Sequence, residues 1–329
     1  MRRKIKNIVF LLAACMTLSV PVRAETPTEL IPVGAAVGIA LETDEVVIAA
    51  LSETVSAAKD AGLKPGDILL KINDMPVTCA EDVAQAVQAS TPQCTVCYER
   101  GGVKHSSRVR LVKTPQGQAL GIYVRSSIEG IGTVTYYDPK NGSFGALGHG
   151  VTDNLSQKRL HVTQGAIYNA AVTQIRKGSR GKPGALRGML GDQQLGTVQA
   201  NTGLGVFGTS DAFADEHEPV EVASWRQVHT GEAEILSSLD GGRAQYYRVR
   251  ITELNETDKD AKNFLLRVDD DRLLTQTGGI VQGMSGSPIL QDGRLIGAVT
   301  HVLIDDPATG YGVFIGNMLN RAESVQKAA

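Results

Sequence analysis

The rhythm of apolar and polar positions changes twice along the chain, and each change marks a different kind of structure. The first residues carry Arg2, Arg3, Lys4 and Lys6, followed by an apolar run from Ile8 to Val20 and then Pro21-Val22-Arg23-Ala24. A basic start, a short apolar core and small residues at its end form the pattern of an export signal, with cleavage after Ala24. The run is short for a membrane-crossing helix, which needs about 20 apolar residues, but residues 1–24 also fit an uncleaved anchor. Leu12-Ala13-Ala14-Cys15 has the form of a lipoprotein cleavage box, yet apolar residues continue past Cys15, where such a box turns polar.

From Ile31 to about Lys113 short apolar strands alternate with two short helices, which predicts a compact α+β unit over residues 31–113. Ser56 to Asp74 reads as a helical turn closed by Gly62, a Pro65-Gly66 turn, and an apolar strand ending in Asn73-Asp74. Thr78-Cys79-Ala80-Glu81 reads as a capping box with Thr78 as N-cap. The helix it opens runs to about Ala89 and carries Val83 and Val87 on one face.

Beyond about Gly117 the texture becomes short alternating segments between glycine turns, such as Gly132 to Tyr137, Tyr246 to Ile251 and Leu295 to Thr300. This predicts an all-β domain over residues 117–329, with a closing helix from about Asn317 to Gln326. Nine glycines between Gly178 and Gly208, interspersed with Leu, Val and Phe, point to hairpins and binding loops. The fold class expected is mainly β, an α+β unit followed by a larger β domain.

Composition narrows the functions available. With 33 basic and 35 acidic residues interspersed, a net charge of -2 leaves no electrostatic footprint for nucleic acid or an anionic membrane surface. Removal of the export signal leaves Cys79, Cys94 and Cys97, an odd number with no second pair for a tetrahedral metal site. Cys94 and Cys97 lie three apart in a β-branched strand pattern and face opposite sides, so buried thiols fit better than a redox pair. No metal and no organic cofactor is expected.

Candidate chemistry lies in Gly283-Met284-Ser285-Gly286-Ser287-Pro288. A serine hydroxyl becomes a nucleophile when a tight turn exposes it to a base and backbone N–H groups face the developing oxyanion. Gly283 and Gly286 permit such a turn, and the N–H groups of Gly283 and Ser285 can then share one carbonyl oxygen. A surface turn uses the same residues, so the partner histidine decides. Of six histidines, His149 is flanked by Gly148 and Gly150 at the end of an apolar segment. His105 falls in the α+β unit, His161, His217 and His229 sit in polar surroundings, and His301 lies in an apolar strand pattern. There it either packs the core or lines the substrate pocket.

Two resemblances follow. Ala61-Gly62-Leu63-Lys64-Pro65-Gly66-Asp67-Ile68-Leu69-Leu70-Lys71-Ile72-Asn73 closely resembles a PDZ domain, which receives an extended peptide between a sheet edge and a helix. That implies a peptide ligand held by Val37, Gly38, Ile39, Ala40 and Leu41. Val83 and Val87 then either face it or pack the core. Phe144 to Asp153 and Thr277 to Ile289, with Gly297 to Val302 and Gly310 to Val313, resemble the stage IV sporulation protein B peptidases of spore-forming bacteria.

The second resemblance implies a chymotrypsin-like serine endopeptidase of two six-stranded β-barrels, with His149 from one and Ser285 from the other. It further implies export into the space between the forespore membranes, secreted or membrane-associated, and self-cleavage. It also implies a cut in a regulatory membrane protein that releases an intramembrane metalloprotease to process a mother-cell sigma factor. The family's aspartate falls on Asp270, within Val268-Asp269-Asp270-Asp271. Asp269, Asp271 and Asp192 remain alternatives, since neighbours in an extended segment face opposite ways. A non-catalytic PDZ adaptor and a general envelope quality-control protease are the competing readings.

Overall fold

The computed structural model describes residues 27–258 and 261–327; the export pattern of residues 1–24 lies outside them. Strands that bury one face leave backbone donors and acceptors along both edges, and closing a sheet into a ring satisfies them. Two such rings form. The first joins Ala36–Leu51, Ile122–Asp138, Ser143–Ala146, Gly205–Ser210, Ala185–Thr202 and Val162–Arg176, the last pairing back onto the first. Val37, Ile39, Phe144, Ile167 and Val206 fill its interior. The second is a closed barrel of Gly231–Ser237, Gln245–Leu254, Phe264–Val268, Asp306–Phe314, Arg294–Leu303 and Pro288–Gln291. Ile235, Val249, Phe264, Ile289 and Phe314 are packed within it. Each fully buried side chain of this kind contributes about 1.5–3 kcal/mol.

The small α+β domain does not precede the first barrel as a separate module. Ala36–Leu51 pairs antiparallel with Ile122–Asp138 from Ala36↔Thr133 to Glu42↔Ser127 and, after a register shift, from Val47↔Arg125 to Leu51↔Ile122. The near halves of these two strands belong to the barrel. The far halves belong to the small domain, where Val46 and Val47 also pair with Leu69 and Ile68. The domain is thus inserted between the first and second strands of the first barrel. The expected modules, 31–113 and then 117–329, are therefore interleaved, because alternation shows that a strand has a buried face but not which strand it pairs with.

This arrangement corrects the expected peptide groove. Val37, Gly38, Ile39, Ala40 and Leu41 pair on one edge with Asn169 to Gly165 and on the other with Gly132 to Ile128, so no edge remains for a ligand. Val83 and Val87 are buried at 6% and 5% in the small domain's own core. The helix spans Ala80–Gln88 with Cys79, not Thr78, as N-cap, and the Asp82 carboxylate accepts from Thr78 N, Thr78 Oγ1 and Cys79 N. The closing helix starts slightly earlier than expected, at Ile315. A short helix, Asp271–Thr277, was not legible as such among its three aspartates.

Asp67, 1% exposed, closes the small domain by accepting from Arg100 Nε at 2.6 Å and Nη2 at 2.7 Å, and from Lys64 N at 2.8 Å. Removing one partner of such a pair strands the other and its backbone donor. With Arg100 about one-third exposed, Asp67→Ala is expected to cost about 1–3 kcal/mol. Amide exchange should then accelerate in residues 46–111 and stay unchanged in the second barrel; uniform acceleration would show that the domain does not unfold on its own.

Candidate active site

The strand Ser143–Ala146 ends in two left-handed residues, Leu147 at φ +68° and Gly148 at φ +67°, which deliver His149 into the space between the barrels. A branched residue at positive φ is strained and persists only where its surroundings fix it. Leu147 N donates to Thr133 O at 3.1 Å, and Gly148 N to Ala146 O at 2.9 Å. Beyond His149, the Asn201 side chain accepts from Val151 N and donates to the carbonyls of Val151 and Leu160, holding the loop that leaves the histidine.

The serine turn arrives from the second barrel. Gly283 at φ +99° and Gly286 at φ +97° take conformations that a side chain disfavours. At Gly286 the fit is closer still, since a Cβ there would lie 2.5 Å from Leu147 N. Thr133, fully buried in the first barrel, donates from its N–H to Ser285 O at 3.1 Å and from its hydroxyl to Gly283 O at 2.7 Å. These contacts bring the two distant motifs together. His149, Gly283 and Ser285 line one cleft of about 550 Å³, walled by Ile39, Leu41, Ile131 and Leu147 from the first barrel and by Val281 and Val302 from the second.

Neither Gly283 N nor Ser285 N has a hydrogen-bond partner among the described residues, although neighbouring Met284 N and Gly286 N are bonded to Val281 O and Val299 O. Two unpaired donors on one turn, beside a half-buried serine that lines the cleft, can receive an oxyanion. Ser285 Oγ donates to Thr300 O at 2.7 Å. His149 Nδ1 lies 3.0 Å from Gly150 O. A carbonyl only accepts, so this bond places the ring proton on Nδ1 and leaves Nε2 with its lone pair. Burial holds the His149 pKa below its ordinary 6.5, only partly offset by the Gly150 bond, so the ring is neutral at pH 7.

His301 is not a core residue. It is exposed to the cleft, and its ring centroid lies 4.9 Å from that of His149. Burial of the ring against the wall, with lesser contributions from His149 and Lys262, pushes its pKa down to about 4.

Asp270 stands elsewhere. It is the N-cap of Asp271–Thr277, and its two oxygens accept from Arg272 N, Nε and Nη2 and from Arg248 N. The paired guanidinium holds its carboxyl well below the usual carboxylate range, with the backbone bonds adding to this and burial opposing it. Asp270 does not line the cleft and has no bond to His149. Local capping satisfies the carboxylate that the motif suggested for the histidine. Asp269 faces Arg250 at 3.4 Å, Asp271 is exposed in the helix's first turn, and Asp192 is exposed on a strand. None of the four orients His149 here.

The small domain offers a different groove from the one expected. Ile122 to Arg125 pair along one edge only, with Leu51 to Val47. Ile122 and Val124 of this segment pack against the core cluster that holds Val83 and Val87 of the helix Ala80–Gln88. Gln88 bridges the entrance, donating to Gln118 O and accepting from Gln118 N. Ala119-Leu120-Gly121-Ile122 was the sequence signal for this edge. The edge lies after the domain because the domain is inserted between two strands of the first barrel.

Two six-stranded barrels, with a histidine from the first and a glycine-framed serine from the second facing one cleft, define a chymotrypsin-like serine peptidase. The model of the SpoIVB peptidase S55 family matches residues 116–319, and a PDZ-domain model matches residues 52–96. The chain belongs to the SpoIVB peptidase S55 family, is a serine endopeptidase, and carries a PDZ domain.

No curated protein sequence matches it. Among solved structures it is similar to the active form of the Rv3671c protease from M. tuberculosis at 18% identity and TM-score 0.37, covering 61% of this chain and 75% of that one. It is also similar to the HtrA-type protease AlgW with a decapeptide, at 14% identity and TM-score 0.36, covering 65% and 58%. At these values the likenesses carry no weight beside the barrels and the family model.

Two outcomes test this geometry. A neutral base is lost as pH falls through its own pKa, so the acid limb of kcat/KM should have its midpoint below 6.5; a midpoint above 7 would contradict the burial described. Asp270→Ala should lower stability by about 1–3 kcal/mol through the lost cap and the stranded donors. It should reduce kcat less than tenfold in the folded protein, against about 10⁴-fold for an aspartate that orients a catalytic histidine.

Proposed function

We propose that this endopeptidase is an exported sporulation signalling enzyme. Its substrate is a regulatory membrane protein in the space between the forespore membranes, and it cleaves itself during maturation. The cut frees an intramembrane metalloprotease to process a mother-cell sigma factor. The family match across residues 116–319, with His149 and Ser285 on one cleft, is the observation that carries the reading.

In the proposed mechanism His149 Nε2 takes the Ser285 proton as Oγ attacks the peptide carbonyl. The hydroxyl first turns from Thr300 O, where it rests, toward the imidazole. The N–H groups of Gly283 and Ser285 hold the oxyanion, and the imidazolium then protonates the leaving amine before water releases the acyl group. Gly150 O steadies Nδ1–H, so the arrangement works as a dyad with a backbone orienter. The half-open edge Ile122 to Arg125, facing the helix Ala80–Gln88, is the proposed site of the PDZ ligand, added as a further strand.

Ser285→Ala is expected to abolish fluorophosphonate labelling and to lower self-cleavage by at least about 10³-fold, with the melting temperature kept. Labelling or cleavage at the wild-type rate would refute the serine assignment. For the signalling role, the purified enzyme should cut its membrane substrate at one or two bonds. Broad digestion of unfolded casein would instead indicate a quality-control protease.

A further inference from the structure

The hairpin formed by Val162–Arg176 and Ala185–Thr202 begins in the first barrel, but its tip ends on the second. Gly178 N donates to Thr277 O at 2.8 Å and Gly181 N to Ile304 O at 2.9 Å. The clasp then closes on the residue before the oxyanion turn. Gln282 N donates to Gly184 O at 3.0 Å, and Leu186 N donates to Gln282 O at 2.8 Å, making a parallel bridge between Ala185 and Gln282. The contact is built rather than incidental. Leu186 is 5% exposed and packs in the second barrel's core, and a Cβ on Gly283 would lie 3.0 Å from the Leu186 Cβ. A Cβ on Gly184 would lie 2.5 Å from Arg176 O, Gly178 N and Val281 Cγ1.

The consequence follows from the planarity of one peptide. The Gln282 carbonyl and the Gly283 N–H belong to the same trans unit and point in opposite directions. With Gln282 O drawn to Leu186 N on the hairpin side, Gly283 N–H is turned to the opposite side. Gly283 lines the cleft, and its N–H has no partner among the described residues. Among the described residues nothing but Leu186 N bonds Gln282 O, so without the hairpin the peptide is free to rotate and withdraw the donor.

We propose that the backbone N–H of Leu186 is a positioning group for catalysis: a first-barrel hairpin sets the peptide plane that aims the Gly283 donor of the second barrel at the oxyanion. This rests on the serine-peptidase reading of the cleft and adds to it that the oxyanion hole is complete only while the hairpin tip is docked.

Fluorophosphonate labelling of the purified full chain, in which Ser285 Oγ attacks phosphorus and fluoride leaves, separates the two ideas, because it needs both the nucleophile and the oxyanion donors. If wild-type protein does not label, or Ser285→Ala does, the reading of the site itself fails. If wild type labels and Ser285→Ala does not, Leu186→Pro tests the hairpin by removing the donor and fixing φ at that position while keeping an apolar side chain. The maximal phosphonylation rate should fall about 10²- to 10³-fold, the loss typical of one oxyanion donor, with little change in the concentration for half-maximal rate.

A purely structural role would instead lower the labelled fraction without changing the rate of what remains. A folded Leu186→Pro protein that is phosphonylated at the wild-type rate overturns the proposal. Should that variant not fold, Gly184→Ala, which pushes the tip off Val281, decides: at least a tenfold slower phosphonylation supports the clasp, and an unchanged rate overturns it.

Discussion

Thr133 is the point on which the site depends. A single fully buried residue in the first barrel accepts from Leu147 N, just ahead of the histidine, and donates twice to the serine turn, at Ser285 O and Gly283 O. Each bond alone is worth about 1 kcal/mol net, but breaking one leaves a buried group unsatisfied at a larger cost. Because the three bonds share one residue, neither motif can shift without disturbing the other. The glycines agree with this constraint, for Gly286 lies against the Leu147 backbone, and a Cβ on Gly148 would lie 2.9 Å from Thr300 Cγ2. The cleft is therefore an interface between barrels held from within, which is how side chains far apart in the chain are kept in register.

Around that point the molecule places further supports. The hairpin tip holds the Gln282 carbonyl from one side. The PDZ domain reaches the histidine loop from another. Arg125, on the strand that runs between the PDZ domain and the barrel, donates to Asp153 and Asn154. Lys158, in the same loop, pairs with Glu99 of the PDZ domain. Asp153 is itself buried and accepts from Leu155 N and Ser156 N, so the loop after His149 is shaped around that carboxylate. Since two strands belong to both the barrel and the PDZ domain, the domain is built into the peptidase rather than tethered to it.

The chemistry-bearing residues were legible because their requirements are local. Gly283 to Pro288 needs glycines for a left-handed turn, and Gly148 with Gly150 frees the approach to His149; a few adjacent residues express both. The β texture of residues 117–329 and the PDZ fingerprint around Gly62 to Asn73 were legible for the same reason. Asp270 shows the opposite case. The family resemblance implied an orienting acid at Asp270, but an aspartate ahead of Arg272 is also a good helix cap, and the nearer partners took it. Val37 to Leu41 failed similarly: an apolar strand was recognised, but both its edges were already occupied.

The sequence by itself determined which residues form strands, where the turns fall, and which histidine and serine have the backbone freedom that acyl transfer needs, since these are set by side-chain period and glycine placement within a few residues. Tertiary structure alone decided that the PDZ domain interrupts a barrel, that the strand Val37 to Leu41 has both edges paired while Ile122 to Arg125 keeps one open, that a backbone carbonyl rather than a carboxylate steadies the imidazole, and that a distant hairpin holds the oxyanion turn. Those outcomes depend on which edges pair and which donors remain unpaired once two barrels close. Such contacts join residues far apart in the chain and leave no local periodicity to read.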